Sequence, residues 1–202
     1  MSALAARQPD GESTAEMEMA SLGASIRAAR RDAGLKLREV AAATGLSISY
    51  LSQIERDLLT PSVDALRRIA GAVDIPAGTL AFAAGSRRGK ASVSIVRQET
   101  RKRVAFADTN IAYELLTPDV QGRVSVMALN VPPGAESGAA FTHPGEDIVV
   151  VQQGALMIEV GGLWHEIEAG DSIRFSSEIP HRWRNGANVP AQALWISSPP
   201  WL

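Results

Sequence analysis

Between Ser47 and Arg56 the chain reads SISYLSQIER. If this stretch is a helix with Leu51 and Ile54 turned inward, then Ile48, Ser49, Tyr50, Ser52, Gln53 and Arg56 face outward. That surface is rich in hydroxyl and amide groups and carries one basic side chain. Short hydroxyls and amides suit the base edges of a DNA groove, and an Arg at the flank suits phosphate. Chemistry elsewhere in the chain is sparse. With 3 His and no Cys, disulfides, thiolate zinc sites and cysteine nucleophiles are excluded, and a metal would have to be held by His, Asp or Glu. The absence of Cys also suits a reducing cytoplasm.

The net charge of −2 hides an uneven distribution. Residues 1–20 carry one Arg against four acids, residues 21–90 carry eleven Lys and Arg against six acids, and residues 91–202 carry eight against twelve. A segment at +5 beside one at −4 can attract phosphate locally although the whole chain is close to neutral. The first residues show no apolar core after a basic start, and no run approaches the roughly 18 apolar residues of a membrane span. The expectation is a soluble, cytoplasmic protein without a membrane partner.

These residues need elements to position them. Of 202 residues, 46% are hydrophobic, enough for two small domains with buried cores. Residues 1–18 lack apolar periodicity and read as a flexible tail. From 19 to 82 the pattern is helical. Leu22, Ile26, Ala29 and Ala33 share one face before Gly34, and Leu37, Val40, Ala41 and Thr44 share another before Gly45. Ser47 caps the helix of Leu51 and Ile54. Ser62, after Pro61, caps a fourth helix carrying Val63, Leu66, Ile69, Ala70 and Val73, and Pro76 opens a short fifth helix running to Phe82. Residues 83–91, with AAGSRRGK at their start, read as a linker. From 92 to 202 the period becomes alternating. Strands are expected at SVSIV, RKRVAF, IAYELL, RVSVMALNV, DIVVVQQ, ALMIEV, WHEIE, DSIRF and QALWIS, with a hairpin at Gly161-Gly162. Many short strands at close spacing mean a sandwich or a barrel.

The stretch LREVAAATGLSISYLSQIERDLLTPSVDALRRIA resembles the XRE family of phage-repressor-like helix-turn-helix transcriptional regulators, over roughly residues 22–82. The resemblance implies an all-α bundle of about five helices that binds double-stranded DNA. It places Arg38 at the start of the second helix, Ile48, Ser49 and Ser52 on the major groove, and Arg56, Thr60 and Ser62 near phosphates. Ser47, Tyr50 and Gln53 complete the expected DNA-binding set. Glu55 is expected to hold the fold together. Lys36 departs from the family where a capping Ser or Thr is common, and Asp57 departs where Gly is common; Asp tolerates the left-handed conformation that such a position requires.

The second half resembles the cupin superfamily, on PPGAESGAAFTHPGEDIVVVQQG and GDSIRFSSEIPHRWRN. The resemblance implies an all-β double-stranded β-helix barrel. The family's His-x-His becomes Phe141-Thr142-His143, Asp147 stands where Glu is usual, and Gly154, Gly170, His181 and Asn185 match. Ser176 and Glu178 replace the second motif's Pro and Gly, and Gly134 falls one residue early. Three of four metal-ligand positions, those of His143, Asp147 and His181, therefore keep ligating chemistry. Two imidazoles and a carboxylate suit Fe(II), and Zn or Ni can also use them. A metal-free pocket for an organic effector remains a second reading, because Asp is one methylene shorter than Glu. Phe141, Val149 and Trp183 are expected to wall the effector pocket together with His143, Asp147 and His181. His165 reads as structural, and Arg182 and Arg184 as surface or dimer-contact residues.

The function these readings imply is a homodimeric transcriptional regulator with no catalytic residues, because one small domain reads too few base pairs and half-sites about 34 Å apart need two recognition helices. The alternative is a mononuclear Fe(II) oxidase. Hydroxypropylphosphonate epoxidase resembles this chain in joining the same two domains and in keeping a His, carboxylate, His trio.

Overall fold

The structure is a computed structural model that describes residues 21–82, 93–107 and 109–200. The expected tail and the expected linker lie outside the described residues. Five helices come first: α1 (Leu22–Asp32), α2 (Leu37–Thr44), α3 (Ile48–Ile54), α4 (Val63–Ala72) and α5 (Ala77–Ala81). Their ends follow from local chemistry. The side chains of Ser21, Ser47 and Ser62 accept hydrogen bonds from the amides of Ala24, Tyr50 and Ala65, which would otherwise lack partners at the helix starts. Gly45 ends α2 at φ 67°, the left-handed conformation that glycine adopts without strain. At the start of α2, where Lys36 replaces the usual hydroxyl, the Lys36 amide donates to Glu39 Oε2 at 2.7 Å, so half of a capping box survives.

Ile26, Val40, Leu51, Ile54, Leu66, Ile69 and Leu80 form the buried centre of this bundle. A buried ion pair ties α1 to the end of α3, with Arg30 Nε 2.6 Å from Glu55 Oε1 and Nη2 2.9 Å from Oε2. Arg30 Nη1 also donates to the Leu35 carbonyl at 2.8 Å. Asp57 does adopt a left-handed φ of 56°, and its carboxylate accepts from the Gly23 amide at 2.9 Å and from the Ser21 hydroxyl. A glycine there would have the conformation without the bond.

The strands are β1 (Lys102–Ala105), β2 (Ala112–Leu115), β3 (Ser125–Val131), β4 (Glu146–Gln153), β5 (Ala155–Val160), β6 (Leu163–Glu168), β7 (Ser172–Ser176), β8 (His181–Arg184) and β9 (Ala191–Ser198). They build a six-stranded sheet ordered β1-β2-β3-β9-β4-β7 and a three-stranded sheet ordered β6-β5-β8, with every pairing antiparallel. Inward rows alternate with outward ones. Met127, Leu129 and Val131 of β3, Val149 and Val151 of β4, Leu156 and Ile158 of β5, and Ala193 and Trp195 of β9 are all buried. Gly161 and Gly162 turn the β5–β6 hairpin with both φ values positive, as a type I′ turn requires.

Two strand expectations need correction. The SVSIV run is not a strand over its described residues: Val93 and Ile95 are 77% and 69% exposed. Alternation only sorts side chains by face, and a strand also needs a partner, which this run does not have among the described residues. Conversely, HRWR forms β8 because it pairs with β5, although two of its four residues are Arg. The helical bundle meets the barrel where the Lys102 ammonium donates to the Phe82 carbonyl at 2.9 Å. Among the described residues, no helix is long and apolar enough to cross a membrane.

Candidate DNA-binding face and cupin site

The exposed side of α3 carries the residues expected there, with some differences in detail. Ile48 is 51% exposed, Ser49 and Arg56 are exposed, and Ser52 and Gln53 are half-buried. Tyr50 differs: it packs partly against the core and offers only part of its ring to a partner. Gln53 Nε2 lies 3.3 Å from Ser49 Oγ, and Arg56 Nε donates to the Ser52 carbonyl at 3.1 Å. Ser47 and Ser62 use their oxygens as cap acceptors, which leaves each hydroxyl proton available to donate. Arg38 and Thr60 are exposed. Asp64 lies in the first turn of α4 and pairs with Arg68 at 3.2 Å, so that helix start is less favourable to phosphate than bare amides would be. Arg27, Arg31, Lys36 and Arg38 are exposed on the same small domain.

In the barrel, pairing brings distant positions together. Asp147 of β4 sits opposite Ser197 of β9, and the Ser197 hydroxyl donates to Asp147 Oδ1 at 2.7 Å. The backbones of Phe141 and His181 exchange two hydrogen bonds, at 3.1 and 3.0 Å. The His143 amide donates to the Ser177 carbonyl at 3.0 Å. These registers aim both imidazoles at the carboxylate. His143 Nε2 is 3.1 Å and His181 Nε2 3.6 Å from Asp147 Oδ2, and one ligand atom from each of the three residues lies within 4.8 Å of the others. Asp147 and His181 are fully buried and His143 nearly so. The shorter carboxylate therefore reaches.

The imidazole tautomers decide what this cluster can hold. His143 Nδ1 lies 3.2 Å from the Pro144 carbonyl and His181 Nδ1 2.9 Å from the Ile179 carbonyl. A carbonyl only accepts, so Nδ1 of His181 carries the proton and in the neutral ring its Nε2 presents a lone pair, whereas His143, with an acceptor at each ring nitrogen, can donate from either. A lone pair directed at a carboxylate oxygen, as at His181 Nε2, calls for a cation between them, either a proton or a metal ion. Burial, with help from the neighbouring His143 and Arg67, pushes His181 below the ordinary imidazole range against the pull of its Ile179 hydrogen bond and of Asp147. His181 therefore stays neutral, and its Nε2 has no hydrogen-bond partner. This donor set fits a divalent metal ion, with Ser197 as the outer partner that orients the carboxylate.

Aromatic rings surround the cluster. The Phe141 centroid is 4.4 Å from that of His181, 6.0 Å from His143 and 5.9 Å from Trp183. Val149 and Trp183 are buried in the interior as expected. Trp183 Nε1 and Ser177 Oγ are buried without a hydrogen-bond partner. His165 faces solvent rather than packing, and Asn185 serves the fold, with its Nδ2 donating to the Val131 and Val189 carbonyls. Arg182 and Arg184 lie over the Trp164 ring at 5.1 and 4.5 Å, on the face opposite His181 and Trp183. Sequence reasoning missed two residues of the site. Ser197 had a readable signal, a serine closing the inward row of an otherwise apolar strand. Arg67, whose guanidinium carbon sits 3.3 Å above the Phe141 ring, had none, because it comes from α4.

Comparison with known proteins matches the two halves separately. Residues 26–80 match the helix-turn-helix family model and residues 127–197 the cupin domain model. The chain is 28% identical over 166 residues to the HTH-type transcriptional regulator SutR of Escherichia coli, covering 82% of this chain and 87% of that one. It is 24% identical over 157 residues to the HTH-type transcriptional regulator PuuR of Escherichia coli, covering 77% and 83%. The crystal structure of an HTH_3 family transcriptional regulator from Vibrio cholerae shares the fold, with a TM-score of 0.64 and 19% identity, covering 91% of this chain and 98% of that one. The chain therefore carries a helix-turn-helix domain followed by a C-terminal cupin domain, and its similarity to two helix-turn-helix transcriptional regulators runs over most of its length.

Proposed function

We propose that this chain is a cytoplasmic, homodimeric, sequence-specific DNA-binding regulator whose cupin barrel binds a small-molecule effector, with a divalent metal ion held by His143, Asp147 and His181. The observation that carries the DNA-binding part is the outward face of α3, where Ile48 and Ser49 are exposed and Ser52 and Gln53 half-buried, on a domain with several exposed cations. Ile48 suits a thymine methyl, and the hydroxyls and the amide suit base edges. Arg56 and Arg38 supply phosphate contacts, which set affinity and its salt dependence. Effector binding acts by favouring one placement of the two DNA-binding domains over another. The test is enrichment of genomic fragments by the purified chain, followed by gel shifts at low salt. A folded dimer that retains no fragment, or a Ser52→Ala variant with unchanged sequence preference, refutes it.

A second reading rests on the same cluster. Two imidazoles and one carboxylate leave coordination positions open, the arrangement used by Fe(II) oxidases. Iron content after anaerobic purification separates the readings. One iron per chain, lost in His181→Ala together with any consumption of oxygen, favours the enzyme; metal without oxygen consumption favours the sensor.

A further inference from the structure

The outer face of the six-stranded sheet is apolar where a solvated face would be polar. Val126, Ile196 and Ile148 stand in register across β3, β9 and β4, and the next outward row is Ala128, Leu194 and Val150. An antiparallel sheet that packs on one side only normally alternates apolar inward with polar outward. In these two rows the outward side chains are apolar as well, and all six are half-buried, whereas the inward rows of the same strands are buried. Polar and charged groups frame the grid. Glu114 lies beyond Ala128 on β2, Arg174 beyond Ile148 on β7, and Asn130 and Gln192 form the following row. An apolar centre inside a rim that carries both signs of charge is the anatomy of a protein interface.

The SVSIV run ends beside this face. It presents Val93 and Ile95 to solvent at 77% and 69% exposure, and Gln98, which follows, lines a shallow depression with Asn130, Gln152 and Gln192 at the polar end of the sheet. An extended apolar segment thus starts at the margin of an apolar face while its side chains do not rest on it. β9 runs down the middle of the grid, with β3 and β4 on its two sides and β2 and β7 beyond them. A two-fold axis along β9 therefore sets the grid of one copy on that of another and carries β2 over β7, so that Glu114 approaches Arg174 of the second copy, opposite charges at the rim. With strands about 4.8 Å apart and a rise of about 3.4 Å per residue, five strands over the length of β3 cover about 600 Å² per chain. The pair buries about 1,200 Å², which reaches the lower bound of stable interfaces before the SVSIV segments are added.

We propose that this face is the dimer interface: the outer sheets of two copies of this chain pack together, and each SVSIV segment covers the margin of the other copy's face. This deepens the homodimer reading and rests on it. The test is sedimentation of the full chain at micromolar concentration. Leu194 lies at the axis, so Leu194→Glu sets two carboxylates against each other and should weaken association about 100-fold or more, to a monomer that keeps its tryptophan-fluorescence transition. Leu194→Lys should do the same, and mixing the two variants should restore a dimer, which a folding defect could not do. Ile95→Asp, on a segment outside the strands, should weaken association about tenfold. Leu163→Glu, at a side chain 68% exposed on the three-stranded sheet, should leave it unchanged. A folded Leu194→Glu chain that stays dimeric, a mixture that stays monomeric, or loss of the dimer in Leu163→Glu overturns this surface and leaves the homodimer standing; a wild-type chain that is monomeric removes both.

Discussion

Replacing Glu55 by Gln should lower the melting midpoint of the DNA-binding domain while leaving that of the barrel close to wild type. Glu55 and Arg30 are 7% and 12% exposed at their side chains and meet through two hydrogen bonds of 2.6 and 2.9 Å. Breaking a buried pair leaves one charge uncompensated and costs about 3–5 kcal/mol; because Gln keeps the shape and one acceptor, we take about 3 kcal/mol. A domain of this size has only a few kcal/mol of stability, and at about 4–8 °C per kcal/mol the midpoint should fall by roughly 12–24 °C. The chain supplies its own separate probes. Trp164, Trp183 and Trp195 lie on barrel strands and no Trp precedes residue 160, so tryptophan fluorescence reports the barrel, whereas helical circular dichroism reports the bundle. The expected result is an early loss of the helical signal and of DNA binding, with the fluorescence transition close to wild type. A helical transition displaced by less than about 5 °C, or one moving in step with the fluorescence, would refute the reasoning.

Three further outcomes follow from the same geometry. Ser197→Ala should lower metal affinity about 10–100-fold without unfolding the barrel, because Asp147 loses the hydroxyl that orients it, and calorimetry with Zn²⁺ or Ni²⁺ reads this directly. Asp57→Ala should cost roughly 1–2 kcal/mol in denaturant melts of the helical signal, since Ala loses the bonds to Ser21 and Gly23 and dislikes the left-handed backbone, whereas Asp57→Gly should cost less. Gly145→Ala should destabilise the barrel by about 2–4 kcal/mol in fluorescence melts, because its φ of 106° excludes a Cβ and that Cβ would fall on the Ser198 carbonyl.

Much of the architecture was legible in the sequence because its causes are local. The caps at Ser47 and Ser62, the stops at Gly34 and Gly45 and the double-glycine hairpin all act within a few residues of the feature they specify. The face of α3 was legible for the same reason, since helical period alone turns Leu51 and Ile54 inward and Ile48 and Ser49 outward. Tyr50 marks the limit: period assigned it to the exterior, and packing against the core drew it partly back.

The rest depended on partners far along the chain. SVSIV alternates as a strand should and forms none over its described residues, while HRWR pairs because β5 lies beside it. Residue types identified His143, Asp147 and His181 as able to ligate a metal, but whether an Asp could replace a Glu was a question of distance. The β4–β9 register, with Ser197 held against Asp147, brings that carboxylate within 3.1 and 3.6 Å of the two imidazoles. Nothing in the spacing of Arg67 distinguishes it from Arg68 as a surface cation on α4; only the docking of that helix against the barrel sends one guanidinium to Thr44 and the other onto Phe141. Local chemistry thus determined which elements form and which faces they show. Tertiary structure decided which side chains meet, because strand register and domain contact are set by residues that no local pattern connects.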